Sequence, residues 1–125
     1  MKTKELICIV CPNGCQLEVT YQEKPRIKVI SVSNHLCDKG EAWAANELEN
    51  PMRHIASSIL VEKGNFKLVS VRTDEPIPLP SIQKVMKVIK KKRVQAPIAI
   101  NQVLIQNPAG VSTNIIATRN VDLLI

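Results

Sequence analysis

Four cysteines are the residues of this chain best placed to do chemistry together. Cys8-Ile9-Val10-Cys11-Pro12-Asn13-Gly14-Cys15 puts three thiols within eight residues, and Cys37 follows after a gap of 21. Three thiols that close cannot point apart, so they converge on a shared ligand. In a cubane iron–sulfur cluster each of four irons takes one thiolate, so a short loop can reach three corners while a distant segment closes the fourth. Pro12-Asn13-Gly14 has the turn chemistry to curl such a loop back on itself. Its backbone amides would then face the sulfurs and tune them. The same four sulfurs could hold a tetrahedral zinc. Zinc sites, however, usually present two paired knuckles, and here the grouping is three plus one. A 4Fe-4S cluster on Cys8, Cys11, Cys15 and Cys37 is therefore the expected cofactor. Zinc is the alternative, and a redox Cys8/Cys11 pair or unliganded thiols stand behind both.

The elements that must position these thiols can be read from periodicity. Residues 4–10 suit a short strand running into the cysteine loop. Residues 16–21 alternate, with Leu17, Val19 and Tyr21 on one side, the period-two signal of a half-buried strand. Residues 22–25 make a turn and 26–32 the returning strand, so a hairpin lies between the third and fourth cysteines. A helix over 38–49 follows, with Asp38 and Glu41 spaced as a capping box, and Asn50-Pro51 ends it. The second half opens with strands at 58–62 and 66–73 around Lys63-Gly64-Asn65. Pro76, Pro78 and Pro80 form a stiff connector, and Ser81 is placed to cap a second helix. In that helix Ile82, Val85, Met86 and Ile89 recur at helical spacing, with Lys84, Lys87, Lys90 and Lys91 away from the stripe. Short strands are expected at 98–100, 102–106 and 114–119. The fold class is α+β: a small metal-bearing β module at residues 1–52, then an α+β module at 53–125 of short strands with one amphipathic helix.

Composition narrows the function. The chain has 125 residues, 45% hydrophobic and only 2% aromatic, so its core must be built from Ile, Val, Leu and Ala. A thin core of that kind often needs a staple, and a metal can be one. The net charge of +6 favours acidic partners. Lys84, Lys87, Lys90 and Lys91 are the candidate docking surface, although cations at a helix C-terminus also simply complement its dipole. Single-stranded nucleic acid needs stacking aromatics, which are scarce here, so nucleic acid is disfavoured. No segment nears the roughly 18 apolar residues of a membrane span. The apolar run at 6–11 falls short of the roughly 7–15 residues of a signal-peptide core. A cytoplasmic location is expected, where clustered cysteines more often mean metal than disulfide. No serine–histidine–acid set, phosphate loop or paired carboxylates occur, so no independent catalytic site is expected.

The N-terminal 55 residues resemble the iron–sulfur module that opens many molybdopterin oxidoreductases, such as formate dehydrogenase and periplasmic nitrate reductase. The matching residues are Cys8, Cys11, Cys15, Cys37, Lys39 and Gly40, with a fainter echo in Pro51-Met52-Arg53. In those enzymes the lysine matching Lys39 lies between cluster and pterin, which marks Lys39 and Gly40 as an electron relay or as support for the site. The large domains that hold the pterin have no counterpart in this sequence. Over its whole length the chain is similar to a small uncharacterised bacterial family, a domain of unknown function. That family pairs the cysteine motif with segments like Ala96-Pro97-Ile98 and Ile116-Ala117-Thr118-Arg119. Its genomic setting is similar to that of a third subunit of flavin-dependent dehydrogenases of the glycerol-3-phosphate type. The resemblance implies an accessory electron-transfer subunit partnered by a flavoprotein. The rival expectation is a zinc-stabilised module that docks an acidic protein or nucleic acid through its basic helix.

Overall fold

A computed structural model describes residues 1–124 and divides the chain into two units, Met1–Pro51 and Met52–Ile125. Both mix strands and helix, and the class is α+β.

In the first unit, β1 (Lys2–Ile7), β2 (Gln16–Gln22) and β3 (Lys28–Ser33) form an antiparallel sheet in chain order. The alternation in β2 acts as expected: Leu17 and Val19 are fully buried while Gln16 and Glu18 face water. β1 stops at Ile7 rather than running to residue 10, because residues 8–10 leave the sheet to turn into the cysteine loop. Helix α1 (Asp38–Glu49) packs on β2 and β3 through Ala44, with Trp43 and Leu48 beside it. Its end is tied to the edge strand, where the Val29 N–H donates to Glu49 Oε1 at 2.8 Å. The expected capping box does not form. Cys37 holds the N-cap position in extended backbone with no side-chain cap, and Glu41 turns instead toward His35, at 3.6 Å. Pro51 stands just beyond the helix end.

The second unit holds a five-stranded sheet in the order β8-β5-β6-β10-β9. Its strands are β5 (Ala56–Glu62), β6 (Leu68–Thr73), β8 (Arg93–Gln95), β9 (Val103–Gln106) and β10 (Asn114–Ala117). All pairs are antiparallel except β5 with β8. A separate ribbon joins β4 (Met52–Arg53) to β7 (Ile77–Pro78). Helix α2 (Ile82–Lys91) buries Val85 and Ile89 and packs Ile82 and Met86 against the same core. That core is aliphatic, with Ile59, Val69, Val71, Ile77 and Ile115 among its buried members. Ser81 holds the N-cap position of α2, but its side chain makes no cap hydrogen bond. It lies in helical backbone at the end of a 3-10 turn over Leu79–Ser81, which runs straight into α2 and leaves no extended residue to cap. The strand expected at 98–100 reduces to one bridge between Ile98 and Val121, because residues 99–102 turn back on themselves through the Gln102 N–H to the Ala99 carbonyl.

Candidate functional site

The site is assembled by three local devices. The Cys8 N–H donates to the Cys15 carbonyl at 2.8 Å, closing residues 8–15 into a loop. Gly14 completes that loop at φ +59°, a left-handed conformation that costs a side-chain-bearing residue more than glycine. Asn34, at φ 69°, turns the chain out of β3 toward Cys37, which then starts α1.

These devices bring Cys8, Cys11, Cys15 and Cys37 to the wall of one cavity of about 180 Å³. Val10, Asn13, Leu17, His35, Leu36, Lys39 and Gly40 complete its lining, so every wall residue belongs to the first unit. The four cysteines are free thiols. They differ sharply in burial: Cys8 is buried, Cys15 half-buried, and Cys11 and Cys37 are exposed. Among the described residues, no three His, Cys, Asp or Glu side chains are gathered as ligands of one metal ion would be.

Gly40 is buried, and a Cβ there would stand 3.6 Å from both Cys8 Sγ and His35 Cβ. Glycine thus leaves a small recess beside the deepest thiol. Its N–H donates to the Cys37 carbonyl at 3.2 Å, which fixes the first turn of α1 against the fourth cysteine. The positive end of the helix dipole begins at Cys37, a setting that suits an anionic thiolate ligand set. Lys39 is exposed and lines the cavity, adding a second positive group beside it. His35 sits on the wall with Nε2 3.6 Å from Glu41 Oε2, so a carboxylate holds its ring. Four free thiols around one cavity, at a helix N-terminus and beside a lysine, fit a soft-metal centre chemically.

Comparison with known proteins adds the family. Residues 38–119 match the family described as protein of unknown function (DUF1667). The chain belongs to this family. The DUF1667 match begins one residue after Cys37, so it takes in α1 and much of the second unit and leaves all four cysteines outside. The NMR structure of Clostridium perfringens protein CPE0013 is similar in fold, with a TM-score of 0.53 and 19% identity. That similarity covers 58% of this chain and 86% of the other. No curated protein matches the chain.

Lys84, Lys87, Lys90 and Lys91 are all exposed on α2, in the second unit. Sequence reasoning passed over the apolar wall residues Val10 and Leu36. Their signal was plain enough, as each is a large aliphatic next to a cysteine on a loop.

Proposed function

We propose that this DUF1667 protein is an accessory iron–sulfur electron carrier working with a flavin-dependent oxidoreductase. The observation that carries the reading is that all four cysteines, from segments 21 residues apart, line one cavity. Cys8, Cys11, Cys15 and Cys37 would hold the cluster, and a cluster of this kind takes up and returns single electrons. The chain's own part is to bury one side of the group at Cys8 and expose the other at Cys11 and Cys37. Lys39 and the N-terminus of α1 would offset the negative charge of the thiolates. The flavoprotein partner rests on the resemblance described above, and the exposed lysines of α2 are the surface offered for steering it.

One observation favours a second reading. The first unit buries only Cys8, Leu17, Val19 and Ala44 as its core cluster, little for independent stability, and a structural zinc on the same thiols would staple it. Anaerobic purification with iron, sulfide and zinc analysis decides between the two. About four irons and four sulfides per chain are expected, with an electron-spin signal after reduction. One zinc and no iron would overturn the carrier reading.

A further inference from the structure

Four glycines occur in the chain, and the fold itself accounts for three of them. Gly14 and Gly110 stand at φ +59° and +75°, backbone that side-chain-bearing residues resist. Gly64 is hemmed in by Val61 and Val121, too closely for a Cβ. Gly40 has neither reason. It lies in the first turn of α1 without a positive φ, where glycine is among the poorest helix formers and alanine the best. A Cβ added to it would meet Cys8 Sγ and His35 Cβ at 3.6 Å, which is ordinary van der Waals contact. The fold therefore has room for alanine and would gain helix stability from it.

Gly40 is also the one buried glycine of the four, and it lines the cysteine cavity. Its missing side chain leaves space against the sulfur of Cys8, the most deeply buried of the thiols. Neither the backbone nor the packing of the chain uses that space. A group held by the thiols would.

That space separates the two metal groups the site could take. A zinc ion is a single atom among four sulfurs and asks for little room beyond them. A four-iron cluster brings four irons and four sulfides among the same thiolates, so it needs room beside each ligating sulfur. A methyl group on residue 40 would stand in that room next to Cys8. We propose that Gly40 is the specificity-determining residue of the site: its absent side chain admits a cluster, and alanine there would leave room for a single metal ion only. The proposal rests on the carrier reading and adds which residue selects the cofactor.

The test compares the full chain with Gly40→Ala, both stripped of metal and reconstituted anaerobically in two arms. One arm supplies ferrous iron and sulfide, and is read as iron and sulfide per chain and as the electron-spin signal after reduction. The other supplies cobalt(II), a coloured stand-in for zinc, and is read by its thiolate absorption. Circular dichroism of the metal-free proteins reports on α1. Gly40→Ala should keep or gain helix signal. It should bind cobalt within about three-fold of the parent's affinity, yet take up at least about five-fold less iron and sulfide. Equal iron and sulfide uptake by the two proteins sinks the recess and leaves the carrier reading standing. Loss of cobalt together with iron would mean that the glycine serves the arrangement of the thiols, and loss of helix signal that it serves the backbone. Either result overturns the proposal. A parent that binds cobalt but assembles no cluster sinks the carrier reading, and the proposal with it.

Discussion

At the residue scale, burial separates four thiols that look alike in sequence. Each of Cys8→Ser, Cys11→Ser, Cys15→Ser and Cys37→Ser should lower the bound metal, read as metal per chain after anaerobic purification. Cys8→Ser should in addition weaken the fold, because Cys8 belongs to the small buried cluster and a hydroxyl there replaces a softer apolar group. A second residue argument concerns Gly64. A Cβ there would lie 2.8 Å from both Val121 Cγ1 and Val61 Cγ1 and 3.0 Å from the Phe66 carbonyl. Gly64→Ala should therefore overpack the second unit and cost about 1–3 kcal/mol, seen as a lower denaturant midpoint. A third concerns Asp74, whose Oδ1 accepts from the Asn114 N–H at 2.8 Å, with Thr113 Oγ1 3.0 Å away. The backbone bond from Asn114 is the main reason its carboxyl is held below the ordinary carboxylate value, and the Thr113 hydroxyl adds to it. A depressed folded-state value adds stability that is complete above the unfolded-state value and is lost as pH falls through the folded one. Asp74→Asn should be less stable than the parent near neutral pH, and the gap should close as pH falls below about 4. Denaturant midpoints across that range check it.

At the element scale, α2 shows both of its faces in one stretch of sequence. Val85 and Ile89 are buried in the second unit's core, so Ile89→Ala should cost about 2–5 kcal/mol. Lys90 and Lys91 lie in the last turn, where their charge complements the helix dipole. Reversing Lys87, Lys90 and Lys91 to Glu should destabilise the helix slightly and leave the metal content unchanged. If these lysines steer a partner, the same variant should associate more slowly and with a weaker dependence on salt. On-rates at low and high salt measure this directly, and equal rates for variant and parent would remove α2 from the docking surface. The strand pattern was legible wherever an element keeps one face in the core, as in β2. It was not legible in β8, a three-residue strand whose exposure pattern carries no apolar run. Its parallel pairing with β5 depends on where α2 delivers the chain.

At the scale of the whole molecule, the two units differ in how much they bury. Eleven buried residues form the core cluster of the second unit, against four in the first, among the described residues. A fragment of residues 52–125 should fold without metal. It must begin at Met52, because β4 pairs with β7 and a later start would strip the partner first from Pro78 and then from Ile77. A fragment of residues 1–51 should lose its structure when a chelator removes the metal, since bound metal would supply much of its folding free energy. Amide dispersion in NMR spectra of both fragments, with and without chelator, is the measurement. A well-dispersed metal-free 1–51 fragment would contradict this.

What the amino-acid sequence determined by itself is local. The spacing of Cys8, Cys11 and Cys15 obliges three thiols to share one loop, and the alternation of Leu17 and Val19 chooses the buried face of β2. The stripe on α2 likewise selects its inner side. Each follows from backbone geometry over a few residues, which is why it could be read directly. Tertiary structure alone decided the rest. Cys37 reaches the cavity because α1 packs on β2 and β3 and places its N-cap there, and Asp38 loses that position because the extended residue is Cys37. Which thiols are buried, and that Ile9 and Leu36 stay exposed, depend on what lies across the fold from them. Burial is a property of neighbours distant in sequence, and no periodicity along the chain encodes it.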